Sequence, residues 1–180
     1  MDLRSVLLAL HATLDAEGIA HALIGGLALA AHGAGRATNG LDLVVDGDHA
    51  ADVDRVLAAH GFEPLHRSAD VGNYVSADPA RGRVDVLFAR RPQGRAILAR
   101  AAPIEVLGAT LRVADASDLI GLKVQAYAND PTRGRRDLAD IEQLLRHAKV
   151  DGNRVREYFW SFDREGDLDA RLAMVERWKR

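Results

Sequence analysis

The chain has 180 residues, of which 48% are hydrophobic, 28% are charged and none is cysteine. This length is enough to bury the core of one domain, or of a core with a small helical appendage. The lack of cysteine excludes disulfides, thiolate nucleophiles and cysteine zinc sites and is compatible with a reducing cytoplasm, while a formal net charge of −2 argues against bulk electrostatic attachment to nucleic acid.

The N-terminal segment has the pattern of an amphipathic helix. Apolar residues recur at helical spacing over residues 3–16, interrupted by His11 and Asp15, and Gly18 follows as a C-terminal cap. This pattern argues against a signal peptide. Because no apolar run of the sequence approaches membrane-spanning length, we expect a cytoplasmic protein without a membrane partner.

A short strand, a glycine pair and a second strand come next. We predict a strand over residues 21–24, a turn at Gly25-Gly26, a helix over residues 27–32, and a strand over residues 41–45 that carries Asp42. Bare backbone amides at the start of a helix can approach a phosphate closely. Asp42 could be a surface acid, but an unpaired charge within an apolar run is costly, which favours a functional role.

The rest of the chain predicts a mixed sheet followed by helices. Asp48 is predicted to cap a helix that continues through His60 and is stopped by Gly61. Further strands are predicted over residues 62–66, 73–76, 83–88 and 104–113, the last broken near Gly108, with a helix over residues 92–101. From Ala116 onward the pattern is helical, in three or four segments. We therefore predict an α/β (α+β) fold, with a core over residues 1–114 and a helical C-terminal subdomain over residues 115–180.

The stretch LIGGLALAAHGAGRATNGLDLVV, residues 23–45, carries a family resemblance. It resembles the nucleotidyltransferase superfamily, and specifically the branch similar to AbiEii and AbiGii toxins, whose members show Gly-Gly or Gly-Ser, a basic-Thr/Ser segment and Asp-x-Asp on a strand. The matching residues are Gly25, Gly26, Arg36, Thr38, Gly40 and Asp42. Gly40 stands where the family has the first Asp of the pair, whose role is to hold a divalent metal ion.

Later segments extend the resemblance over residues 20–145. A third family carboxylate matches Asp85, a helical lysine matches Lys123, and an Arg-x-Asp-x-x-Asp-like segment matches Asp137 and Asp140, of which Asp140 is predicted to form a salt bridge. The resemblance implies metal ligands at Asp42 and Asp85, and catalytic roles for Asp42, Asp85, Lys123 and Asp137. It implies that the nucleotide is bound by Gly25, Gly26, Arg36, Thr38 and Lys123.

Three of these residues also have plain structural interpretations. Asp85 could be a sheet-edge acid paired with Arg83 or Arg81. Lys123 could extend from a buried helix face to solvent, or reach a triphosphate as a point charge. Asp137 could be a first-turn acid favoured by the helix dipole, or it could position Lys123 or an acceptor hydroxyl.

The resemblance implies an enzyme that transfers a nucleotide from an NTP to RNA, such as a tRNA-like acceptor, or to protein. It implies Mg²⁺ or Mn²⁺ as cofactor and a cognate antitoxin as a protein partner. Such transfer uses two divalent ions held by carboxylates. The side chains of an Asp-x-Asp strand point to one face, so Gly40 removes a ligand beside Asp42, which should weaken metal binding by at least roughly 10- to 100-fold. Two functions stay open: a toxin-type nucleotidyltransferase slowed by Gly40, and a catalytically degenerate protein that acts as a nucleotide-binding or regulatory module.

Overall fold

The structure is a computed structural model that describes residues 2–35 and 37–178, and the side chains of these residues up to residue 176. The backbone divides into two compact units. The first unit is formed within residues 1–31 and 36–114, and the second within residues 32–35 and 115–180.

The described part of the first unit is a seven-stranded sheet with four helices. In chain order its elements are α1 (Leu3–Ala16), β1 (His21–Ile24), α2 (Gly25–Ala31), β2 (Gly40–Asp46), α3 (Ala50–Ala59), β3 (Phe62–Arg67), β4 (Val71–Ser76), β5 (Arg83–Ala89), α4 (Pro92–Arg100), β6 (Ala102–Val106) and β7 (Ala109–Val113). The strand order is β3-β4-β5-β2-β1-β7-β6. The pairs β2–β5 and β1–β7 are parallel, and the other four pairs are antiparallel. The predicted mixed sheet flanked by helices is confirmed.

The register of the central strands places Asp42 directly beside Asp85. On the parallel strands β2 and β5, Gly40 lies opposite Arg83 and Asp42 lies opposite Asp85. On the other side of β5, Asn73 of β4 is the partner of Asp85. Because side chains alternate between the faces of a sheet, these five residues share one face. That face carries the candidate site.

The opposite face of the same strands forms the hydrophobic core of the first unit. Its buried residues include Leu41, Leu43, Val45, Val84, Val86 and Phe88. A polar group is built into this side of the sheet: the Tyr74 hydroxyl donates a hydrogen bond to Asp54 of α3, and Arg67 donates to the same carboxylate at 2.9 Å. The Arg67 guanidinium also lies 4.0 Å from the centre of the Phe88 ring. The polar face is therefore supported from behind by a packed core.

Two local predictions were wrong. The second helix begins at Gly25 itself, so the glycine pair opens α2 and does not form a turn before it. Asp46, not Asp48, provides the cap after β2, because its side chain accepts a hydrogen bond from the Asp48 backbone at the start of a 3-10 turn over Gly47–His49. The Asp48 carboxylate instead pairs with Arg95 at 2.9 Å.

The described part of the second unit is helical, as predicted. It contains α5 (Ala116–Asn129), α6 (Gly134–His147), α7 (Gly152–Trp160) and α8 (Glu165–Trp178). Asp115 caps α5 by accepting a hydrogen bond from the Ser117 amide at 2.9 Å, and Asp151 caps α7 in the same way. Buried residues such as Ile120, Ile141 and Phe159 form its core. Across both units, no described helix combines the length and apolar character needed to cross a membrane.

Candidate functional site

Asp42 lies in contact with the first turn of α2. Its Oδ2 atom accepts a hydrogen bond from the Gly26 amide at 3.3 Å. A β-carbon added at Gly25 would stand 2.1 Å from the same oxygen, and Gly25 has a φ of +61°. Only glycine satisfies both the left-handed backbone and this close approach. The glycine pair and the acid predicted to act together are therefore in direct contact.

Thr38 completes this contact region. A β-carbon at Gly26 would lie 2.7 Å from the Cβ and Oγ1 atoms of Thr38, and the Thr38 hydroxyl donates a hydrogen bond to the Gly40 carbonyl at 3.2 Å. The structure thus brings together four of the predicted motif residues, Gly25, Gly26, Thr38 and Asp42. Arg36, which is predicted to bind the nucleotide, lies outside the described residues.

Asp85 is held by partners on both of its oxygens. Asn73 Nδ2 donates to Oδ1 at 2.7 Å, and Arg83 Nε lies 3.1 Å from Oδ2. The predicted pairing with Arg83 is confirmed, but Asp85 is not at a sheet edge, because β5 lies between β4 and β2. Sequence reasoning missed Asn73; the structure shows it on the less buried side of β4, between the buried residues Gly72 and Tyr74.

The Arg83 side chain lies beside residue 40, which matches the first aspartate of the family that the sequence resembles. A β-carbon at Gly40 would lie 2.7 Å from Arg83 Cγ, 2.9 Å from the Arg83 carbonyl oxygen and 3.4 Å from Arg83 Nε. The Arg83 side chain is 62% exposed, while that of its partner Asp85 is 23% exposed. The stem of the arginine therefore fills the space that a side chain at residue 40 would enter.

These residues do not fit a centre for two divalent ions. Such a centre needs several carboxylate oxygens directed at the ions. Asp85 is bound by Asn73 and Arg83, Asp42 accepts from a backbone amide, and Gly40 supplies no ligand. Within the described residues, no group of three or more His, Asp or Glu side chains is placed to hold a metal ion.

The predicted residues of the second unit form a buried ion network. Lys123 Nζ lies 2.8 Å from Asp137 Oδ1 and 2.7 Å from Asp140 Oδ2, and Arg133 Nε lies 3.0 Å from Asp137 Oδ2. Asp137 is fully buried, and the Lys123 side chain is 11% exposed. Lys123 thus does not extend to solvent, and the predicted salt bridge of Asp140 is confirmed. Asp137 lies in the first turn of α6, where it also orients Lys123.

Comparison with known proteins places the fold. No family model matches the sequence, and no curated protein shows a significant match. The antibiotic-resistance factor ANT(2″)-Ia in complex with adenylyl-2″-tobramycin matches with a TM-score of 0.70 and 14% identity, over 88% of this chain and 95% of that chain. An antigenic nucleotidyltransferase-like protein from Paracoccidioides brasiliensis matches with a TM-score of 0.59 and 18% identity, over 93% and 89% of the two chains.

A lincosamide antibiotic adenylyltransferase, LnuA with bound lincomycin, matches with a TM-score of 0.54 and 12% identity, over 78% of this chain and 95% of that chain. The chain therefore has the nucleotidyltransferase fold, as the sequence predicted. Likeness at these identities defines the fold alone, because one fold hosts many functions. The narrower resemblance to AbiEii-type toxins stays a prediction.

Proposed function

We propose that this chain binds a nucleoside triphosphate on the sheet face that carries Asp42 and Asp85, and that it acts as a nucleotide-binding or regulatory module in which nucleotidyl transfer is lost or strongly weakened. The fold supports a nucleotide ligand, since LnuA is an adenylyltransferase and ANT(2″)-Ia is seen with an adenylylated antibiotic. Gly25, Gly26, Arg36 and Thr38 are the proposed triphosphate residues, as the resemblance implies.

The binding module is supported by two features of the site: residue 40 has no acidic side chain, and a cation lies beside it. Residue 40 is glycine, and the Arg83 side chain occupies the neighbouring space and pairs with Asp85. Asp42, Asp85 and Arg83 together leave one net negative charge, where three acids would leave three. Since attraction for a divalent cation scales with charge, these three residues attract a metal ion less strongly than three acids would.

The remaining contacts suit a rigid binding surface. Asp42 holds the first turn of α2 through the Gly26 amide, and Thr38 braces the start of β2 through the Gly40 carbonyl. Neither contact requires a metal ion. A triphosphate that reaches this turn would exchange one hydrogen bond of Gly26 for another, so binding would not leave an unpaired buried amide.

Toxin-type transfer is the second candidate. It would move a nucleotide from an NTP to RNA, such as a tRNA-like acceptor, or to protein, with Mg²⁺ or Mn²⁺ and with an antitoxin as partner. The observation in its favour is that Asp42 and Asp85 are register partners on adjacent strands. The exposed Arg83 side chain can also turn away from Asp85, since exposed ion pairs contribute at most about 1 kcal/mol.

The test combines nucleotide binding with label transfer. Binding of each of the four NTPs is measured by calorimetry, and transfer from each α-labelled NTP to total RNA and to the protein itself is measured with Mg²⁺ or Mn²⁺. Wild type is compared with Asp42→Ala and with Glu63→Gln, which changes an exposed acid of β3.

Binding without transfer supports the module. Transfer that disappears in Asp42→Ala and persists in Glu63→Gln supports the transferase instead. A wild-type protein that shows neither binding nor transfer would overturn both functions.

A further inference from the structure

We propose that Arg83 takes the place of a divalent ion beside Asp42 and Asp85, here called the carboxylate pair. As the resident cation of this pair, its guanidinium stands beside Asp85 and binds a phosphate group of the nucleotide directly. This inference rests on the proposed nucleotide binding and adds to it that the binding needs no metal ion. It also gives a role to a residue that neither the motif nor the family resemblance includes.

The Arg83 side chain can take its position only because residue 40 is glycine. The two residues are partners on the parallel strands β2 and β5. The Arg83 stem passes so close to Gly40 that a β-carbon there would meet its Cγ at 2.7 Å. A side chain at residue 40 would displace the arginine from Asp85. Glycine at residue 40 therefore leaves the space that the Arg83 side chain occupies.

The carboxylate pair is satisfied by protein groups alone. Asp85 pairs with Arg83 at 3.1 Å and accepts from Asn73 at 2.7 Å, and Asp42 accepts from the Gly26 amide at 3.3 Å. In a site designed around a metal ion, the ion would offset the repulsion between two neighbouring carboxylates. Here the Arg83 guanidinium provides a positive charge beside Asp85.

The chemistry of arginine suits a phosphate ligand at this point. A guanidinium carries five N–H donors in a planar fork that matches phosphate oxygens. Nε is the nitrogen that pairs with Asp85, and the side chain is 62% exposed, so its outer edge faces solvent. Because Asp85 already orients the guanidinium, less side-chain entropy is lost when an anion binds.

The first experiment measures Mn²⁺ binding to the nucleotide-free protein by electron paramagnetic resonance. Wild type is compared with Arg83→Gln, with Arg83→Lys and with Arg81→Gln. Arg81→Gln is the matched control, because it removes the same charge two positions earlier, where the guanidinium lies 5.1 Å from the centre of the Phe62 ring. Thermal unfolding shows whether each variant is folded.

Removing a competing cation should let Arg83→Gln bind Mn²⁺ about three- to tenfold more tightly than wild type. Arg83→Lys should stay close to wild type, since it keeps the charge, and Arg81→Gln should not differ from it. Equal Mn²⁺ affinities of wild type and Arg83→Gln would overturn the role of Arg83 as resident cation.

The second experiment measures binding of ATP, GTP, CTP and UTP by calorimetry, once in EDTA and once in Mg²⁺. The affinity of wild type for its nucleotide should differ by less than about twofold between the two buffers. In EDTA, Arg83→Gln should bind about tenfold or more weakly than wild type, the scale of a charge-assisted phosphate contact. Arg81→Gln should bind like wild type.

The outcomes separate this inference from the proposed function. Wild-type binding that requires Mg²⁺, or that survives unchanged in Arg83→Gln, overturns the phosphate contact and leaves nucleotide binding standing. No binding of any NTP in either buffer overturns the proposed function and the phosphate contact together. The Mn²⁺ comparison then decides alone whether Arg83 is the resident cation.

Discussion

The Arg83 carbonyl oxygen lies 2.9 Å from the point at which a β-carbon of Gly40 would stand. Unlike the Arg83 side chain, this atom cannot move without moving strand β5. Gly40 is therefore required by the close approach of two paired strands, in addition to being the residue that leaves the site without a carboxylate.

Gly40→Asp is expected to lower the free energy of unfolding by about 1–3 kcal/mol, the cost of inserting atoms into a filled space. Urea denaturation measures the change, with Gly166→Asp as control, since a β-carbon at Gly166 meets no atom within 4 Å. A Gly40→Asp protein as stable as the control would show that the strands separate readily.

Gly25→Ala should be coupled energetically to Asp42. The new methyl group would collide with Asp42 Oδ2 at 2.1 Å, and the alanine backbone would have to keep an unfavourable positive φ. We expect a loss of about 2 kcal/mol or more in wild type. The loss should be smaller in an Asp42→Ala background, where the contacts with Oδ2 and Cγ are removed and only the φ cost and the contact with the Cβ of residue 42 remain. A double-mutant cycle measures the coupling. Additive effects of the two substitutions would contradict the contact.

Lys123→Met should be strongly destabilising, because it leaves the carboxylates of Asp137 and Asp140 buried without their ammonium partner. Breaking a buried pair from one side costs about 3–5 kcal/mol. Arg133→Gln is the comparison, since its side chain is 49% exposed and it should cost less than about 1 kcal/mol. Chemical denaturation distinguishes the two, and similar small losses would mean that the network contributes little to stability.

The free energy of unfolding should fall as the medium becomes acidic, with a contribution from His21. Burial lowers the pKa of His21, the neighbouring His11 and Arg112 lower it further, and a hydrogen bond to the Ile19 carbonyl acts in the opposite direction. Below the unfolded value of 6.5, the unfolded chain therefore binds a proton before the folded chain does, and stability is lost as the pH falls towards the folded pKa. Above that value both states are neutral and the full contribution is present.

Urea denaturation between about pH 5 and pH 8, the range in which histidine titrates, measures this dependence. His21→Gln should show a shallower slope than wild type in the same range, because it removes the titrating group. Parallel pH profiles of the two proteins would assign the acid sensitivity to other residues.

Local sequence patterns determined the main elements of this protein. The strand before the glycine pair, the strand that carries Asp42 and the helical segments after Ala116 were all predicted, because hydrophobic periodicity and turn residues act over a few neighbouring positions. The glycine pair with Asp42 also pointed to the nucleotidyltransferase fold.

The tertiary structure decided how distant residues meet. Gly40 and Arg83 are neighbours only because β2 and β5 pair in parallel, and no local pattern specifies which residues of two such strands face each other. The same holds for Asn73 beside Asp85 and for the burial of Lys123 between two acids. Sequence alone therefore showed that a carboxylate was missing, whereas strand register and packing placed an arginine in the space beside it.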